Sequence, residues 1–300
     1  MTKKEMLEAS EEKLRIYSGI LFHNQDFAEG NDASISYDFD CPEYSELKEK
    51  YGLEKIAGRG SDFVRAKRLL HYLAPRLTHS SWYDNHVTCN ALALLEYSLN
   101  NQEQGINCLN KSKILQECCL ALGIYARRMY IMPYSPYDFD NHVVSEIYDR
   151  KLKKWIMLDP TTDGYFVDAD KTPLSLLEMR EKFANDQFVT FVRCGDNLKD
   201  LKKLHEKYID GNAYICKNLF YLMADQENWF GDSDHLLRFC PVNYSIKKNQ
   251  IGNITYRLNH GPTEMTQFVE RLQKDLEYVQ NSEERQLTGI KMLQMSPVDC

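Results

Sequence analysis

The stretch GINCLNKSKILQECCLALGIYAR, residues 105–127, decides how the rest of the chain is read. Ile114, Leu115, Cys118, Ala121 and Leu122 recur at spacings of three and four, which predicts a helix with an apolar stripe, and Gly123 is placed to end it. Cys108 then falls at or within one turn of the helix N-terminus, where the positive end of the macrodipole favours a thiolate. Tyr125 to Ile131 follows as a strand.

Downstream, two extended runs, His142 to Tyr148 and Trp155 to Leu158, flank Asp149-Arg150-Lys151-Leu152-Lys153-Lys154, which reads as a hairpin turn with a solvated basic tip. If the turn centres near Arg150 and Lys151, His142 and Asp159 fall opposite one another, or within a residue or two of it. Directly opposed Cβ atoms are about 5 Å apart, close enough for a carboxylate to orient an imidazole. Cys108, His142 and Asp159 thus stand in chain order as nucleophile, base and orienter.

The flanks are read more coarsely. A mixed-charge helical pattern runs to about Leu21, a polar stretch covers His23 to Asp40, and Gly58-Arg59-Gly60-Ser61 is a candidate boundary. From Asp62 the positions Phe63, Ala66, Leu69, Leu70 and Leu73 predict a helix that Pro75 ends, and a second helix is expected from Cys89 to Leu99. Beyond Thr162, Asp163 to Thr172 reads as loop, Pro173 to Phe183 as a short helix and Gln187 to Arg193 as a strand. Leu198 to about Met223 reads as mostly helical, with turn and strand signals through Tyr256. A final helix takes Thr263 as N-cap and carries Met265, Phe268, Val269, Leu272, Leu276 and Val279 on one face. From Asn281 the chain reads as a polar tail in which Cys300 is incidental. The expected division is a mostly helical N-terminal extension (1–60), a core (61–195) and a C-terminal α/β extension (196–300).

Composition narrows the function class. Three hundred residues suffice for one elaborated domain, or for a catalytic domain of about 130–150 residues with companions. With 43% hydrophobic and 27% charged residues the chain is ordinary globular protein, and no run approaches the roughly 18 apolar residues of a membrane helix. The start turns acidic where a signal peptide needs an apolar stretch, and nine scattered cysteines do not suggest a disulfide framework, so a reduced, cytoplasmic setting is expected. A net charge of −7 argues against nucleic acid as a partner. The expected partner is a peptide or protein substrate, or a small amide.

The three segments together resemble the transglutaminase-like superfamily of papain-related cysteine enzymes. In that family the nucleophilic Cys opens a helix ending Leu-Gly-Ile, followed by Pro-Ala-Arg; here Cys108 precedes Leu122-Gly123-Ile124-Tyr125-Ala126-Arg127. A strand of the type His-Ala-Trp-x-Glu-Val is matched by His142-Val143-Val144-Ser145-Glu146-Ile147, and one ending Trp-x-x-Leu-Asp-Pro-Thr by Trp155-Ile156-Met157-Leu158-Asp159-Pro160-Thr161. The resemblance covers about residues 62–165. It departs at Tyr125, where Pro is usual, and at Val143-Val144, where Ala-Trp is usual, which removes an aromatic beside the His.

The resemblance implies an α+β fold of papain-like or transglutaminase-like type, helices packed on a mainly antiparallel sheet, with Cys108, His142 and Asp159 as the catalytic triad of a transglutaminase-like cysteine hydrolase or acyltransferase. The chemistry implied is amide cleavage through a thioester, without cofactor or metal. The backbone N–H of Cys108 is the first oxyanion donor, with Gln102, Gln104, Asn107 and Trp82 as candidates for the second. Water would resolve the thioester in a peptidase or amidase, the favoured reading, and an amine in a cross-linking transglutaminase. A catalytically silent binding module is the non-enzymatic alternative.

Other residues carry plainer readings. Cys118 and Cys119 are expected to pack in the core. His79, His86 and Cys89 match no closed zinc pattern, and Asp163, Asp168 and Asp170 lack EF-hand spacing and are expected in a solvated loop.

Overall fold

The computed structural model describes residues 2–261 and 266–298. Thr263, Met265 and Cys300, to which the sequence reading assigned a cap, a face and an incidental place, lie outside the described residues. In chain order the elements are α1 (Lys3–Phe22), β1 (Ser36–Tyr37), α2 (Glu43–Tyr51), α3 (Leu53–Ala57), α4 (Asp62–Leu73) with a 3-10 turn Ala74–Arg76, α5 (Ala91–Asn100) and α6 (Cys108–Ala121). They continue with β2 (Ala126–Met132), β3 (His142–Asp149), β4 (Lys154–Leu158), β5 (Gly164–Asp168), α7 (Leu176–Ala184), β6 (Val189–Arg193) and α8 (Leu201–Asn218). Last come β7 (Tyr221–Asp225), β8 (Glu227–Asn228), β9 (Leu236–Phe239), α9 (Ile246–His260), α10 (Thr266–Asn281) and α11 (Lys291–Gln294).

Helix α6 starts at Cys108 because extended Asn107 caps it, its side chain accepting the Asn110 N–H at 3.2 Å. It ends because Gly123 takes φ +69°, which lets the N–H groups of Gly123 and Ile124 turn back to Leu120 and Cys119. The expected one-sided stripe is corrected: Asn110, Lys111, Ser112, Lys113, Gln116 and Glu117 are as buried as the apolar residues. Partners from distant segments make this tolerable. Ser112 Oγ donates to Val143 O at 2.8 Å and Ser145 Oγ to Ser112 O at 3.1 Å, which locks the helix to β3. Lys113 pairs with Glu117 at 3.2 Å and donates to Trp229 O, while Glu117 accepts the N–H groups of Ala91 and Gly231. Cys118 and Cys119 are fully buried, and burial pushes both thiols up.

The main sheet has five strands in the order β4-β3-β2-β7-β9, every neighbouring pair antiparallel, so the fold is α+β. Side chains alternate between two cores. Ala126, Ile147, Ile156 and Leu158 face the cluster of α4, α5 and α6, whereas Met129, Val144 and Met157 face that of α7 and α8. The boundary expected at 195/196 does not separate packing units, since β7 and β9 are hydrogen-bonded into the sheet that holds β2, β3 and β4.

The β3–β4 hairpin is present, and its register falls two residues from direct opposition of His142 and Asp159, at the edge of the expected range. Ser145 pairs with Leu158 and Asp149 with Lys154, two residues on from the register that would put His142 opposite Asp159. A shift of two preserves the face on which each side chain lies, so His142 and Asp159 become diagonal neighbours on one face. The cause is the turn. Asp149 is fully buried and accepts N–H groups from Lys151, Leu152 and Phe63, the last at the start of α4. Arg150 forks onto Asp62 through Nε and Nη2, both at 2.8 Å, while Lys151, Leu152 and Lys153 are exposed as expected of a solvated tip.

Other corrections share one reason: pairing partners override local propensity. Gly164–Asp168, expected as loop, is strand β5 paired with β6. Helix α8 stops at Asn218, and Tyr221–Asp225 enters the sheet between β2 and β9. The stretch read for turn and strand signals through Tyr256 instead enters helix α9 at Ile246, behind a Ser245 cap. The expected polar tail instead docks: buried Leu293 accepts from Arg127 Nη2 at 2.8 Å, and Met295 O accepts from Trp155 Nε1 at 3.0 Å. Arg127 also forks onto Glu146 of β3.

Candidate functional site

Cys108 is the first residue of α6, so its N–H and that of Leu109 belong to the turn in which no intrahelical acceptor exists. The chain approaching it is pinned: the N–H of Ile106 donates to Thr78 O and that of Ser80 to Ile106 O, both at 3.0 Å. Gly105, at φ +69°, makes this approach possible, since a Cβ there would stand 3.0 Å from Thr78 O. Cys108 itself is partly exposed.

His142 opens β3 and is paired with Ile131 of β2. Its Nε2 lies 3.0 Å from Asp159 Oδ2. Asp159 Oδ2 also accepts from Thr162 Oγ1 and Oδ1 accepts from the Thr161 N–H, each at 2.8 Å, so both carboxylate oxygens are held. The Asp159 N–H donates to Gly164 O at 2.8 Å, closing the turn. With Nε2 engaged, Nδ1 is the ring nitrogen left to face Cys108, whose sulfur is close enough to His142 to help raise its pKa. The structure therefore brings together Cys108, His142 and Asp159.

Burial alone would lower the His142 pKa, but the charge and hydrogen bond of Asp159, with the contact to Cys108, hold it up at about 10. Burial would likewise raise the Asp159 carboxyl, and the imidazolium with the Thr162 and Thr161 donors lowers it instead. The two shifts run in the directions of an ion pair, each charge stabilising the other.

Among the oxyanion candidates, Asn107 is committed as helix cap and donates to Asn85 Oδ1 at 3.0 Å. Trp82 is 94% exposed, and Gln102 and Gln104 lie on an exposed loop, the latter accepting from Tyr97. These placements leave the Cys108 N–H as the donor the helix supplies.

Four side chains that sequence reasoning gave no role stand close by. Lys111, one helical turn after Cys108, is buried, makes no ion pair or hydrogen bond among the described residues, and is lowered by burial to about 8 against the opposing charges of Asp159 and Cys108. Tyr214 of α8 meets the His142 ring edge-on at 5.7 Å and donates to Asp140 at 3.1 Å. His79 and Arg193 line, with His142, Asp159, Thr161 and Tyr214, a cavity of about 240 Å³. His79 is lowered by burial and by the Lys111 and His142 charges. The spacing of Lys111 from Cys108 was a usable signal; nothing local marked Tyr214 or Arg193. His86 pairs with Asp84, and Cys89 meets Arg128, so His79, His86 and Cys89 do not converge.

No protein-family model and no curated protein matches the chain. A solved structure of a candidate cysteine protease from Cytophaga hutchinsonii is similar at 17% identity and a TM-score of 0.31, over 42% of this chain and 40% of that one. Likeness at that distance carries no function across. No helix among the described residues is long and apolar enough to cross a membrane.

Proposed function

We propose that the protein is a cysteine-dependent acyl-transfer enzyme of transglutaminase-like type that acts on amide bonds through a thioester, in its ordinary work as a peptidase or amidase. The observation that carries this reading is the hydrogen-bonded pair His142–Asp159 set beside Cys108 at the N-terminus of a buried helix. Cys108 sulfur attacks the amide carbon, and the oxyanion that forms meets the Cys108 N–H. His142 gives its proton to the leaving nitrogen as the C–N bond breaks, leaving an acyl thioester. Water, losing a proton to His142, then cleaves the C–S bond and restores the thiol. Asp159 keeps the imidazole oriented and charged, and Lys111 adds a positive charge close to the anionic intermediate.

Two measurements test it. Limiting iodoacetamide should label Cys108 faster than the other eight cysteines, and uniform labelling would overturn the activated thiol. A peptide library digested by the protein and analysed by mass should show discrete cleavages or deamidations. With a glutamine peptide and a primary amine, ammonia release without amine incorporation is expected; incorporation would transfer the assignment to cross-linking. A flat result in all assays favours a binding module.

A further inference from the structure

Away from Cys108, a second cysteine, histidine and aspartate converge. His71 in the last turn of α4, Asp163 in the turn between β4 and β5, and Cys194 just after β6 bring an imidazole nitrogen, a carboxylate oxygen and a sulfur within 4.8 Å of one another. His71 Nδ1 lies 2.8 Å from Asp163 Oδ2, while Asp163 Oδ1 is buried with no hydrogen-bond partner among the described residues. The backbone holds the group in place, the Cys194 N–H donating to Asp163 O at 2.9 Å. Burial and then the neighbouring Asp163 carboxylate push the Cys194 thiol up, which keeps it protonated while no metal is bound.

We propose that His71, Asp163 and Cys194 form a binding site for a divalent transition metal of the zinc class, with water as fourth ligand. Three ligands from three separate segments, one nitrogen, one oxygen and one sulfur, suit zinc and its neighbours rather than magnesium or calcium. Metal–ligand bonds of about 2.0–2.3 Å place tetrahedral ligands roughly 3.3–3.8 Å apart, so closing the present cluster requires movements of about 1 Å. Binding replaces the thiol proton, which leaves to solvent, and the His71–Asp163 hydrogen bond. Thiolate and carboxylate then balance the charge of the dication. A cavity of about 620 Å³, lined by Lys67, Arg68 and Arg76 with His71 and Cys194, gives entry.

The test uses the full chain with Cys108→Ala, stripped of metal by chelator and titrated with cobalt(II). A near-ultraviolet thiolate-to-cobalt absorption should saturate at one equivalent and vanish on adding zinc. His71→Ala in the same background should weaken binding about tenfold or more. The His71 side chain is 58% exposed, so this variant should fold, which the far-ultraviolet dichroism of the metal-free protein checks. Absence of the band, its persistence in Cys194→Ser, or saturation only at millimolar cobalt would overturn the site. With Cys108 removed, none of these outcomes depends on its being a nucleophile.

Discussion

Two Cys, His, Asp sets share this molecule, and Asp159 and Asp163 sit near the two ends of one turn. Their imidazole-to-carboxylate distances are alike, 3.0 Å for His142 with Asp159 and 2.8 Å for His71 with Asp163. Their surroundings are not. The first pair has side chains 6% and 3% exposed, the second 58% and 20%. Cys108 begins a helix, whereas Cys194 follows a strand and faces a carboxylate. The same three residue types are therefore set for different chemistry by dielectric and by backbone dipole rather than by identity.

Breaking the buried set should have the largest effect. Cys108→Ala should abolish turnover, a loss of about 10³-fold or more, with the thermal midpoint nearly unchanged. Asp159→Asn, measured by steady-state kinetics on the same substrate, should cost about 10³- to 10⁴-fold by releasing the imidazole orientation. Its pH signature is specific. Because His142 is raised from 6.5 to about 10, its contribution to stability is whole below pH 6.5 and is lost as pH climbs through about 10. Because Asp159 is lowered, its contribution is present above 3.8 and is lost as pH falls further. The midpoint difference between wild type and Asp159→Asn should therefore be wide near neutrality and narrow towards pH 10; a constant gap would contradict the ion pair.

Smaller changes sharpen the contrast. Tyr214→Ala uncovers the His142 ring and should lower kcat about tenfold, the scale of an aromatic edge contact, while Tyr214→Phe retains most of it. At the exposed set, His71→Ala in metal-free protein should shift unfolding by only about 0–1 kcal/mol in a denaturant titration. A larger loss there would mean the two sets differ less than their exposure indicates.

What could be read in advance follows the range of the interactions. The end of α6 was readable, and its start to within one turn, because the apolar spacing and Gly123 act within a few residues; the Asn107 cap was not read. The hairpin was readable and its register was readable to within two residues; the exact pairing was not, since Asp149 turns back to serve the N-terminus of α4. Lys113, Gln116 and Glu117 look like a solvated face in sequence, and only partners from Trp229, Asn228, Ala91 and Gly231 bury them. Tyr214 and the second Cys, His, Asp set were invisible for the same reason: they meet their partners only through tertiary packing.

The bond from Arg127 to Leu293 O has a consequence for how the molecule is made. Arg127 and Leu293 are 166 positions apart, and at about 5–20 residues per second a ribosome needs roughly 8–33 seconds to bridge them. Throughout that interval Arg127 and Glu146 can meet, but the guanidinium lacks its last acceptor and Trp155 its carbonyl. The central strands of the nascent chain are thus left unsealed until the closing segment emerges, and ribosome-bound chains halted before Leu293 should be cut by protease where released chains resist.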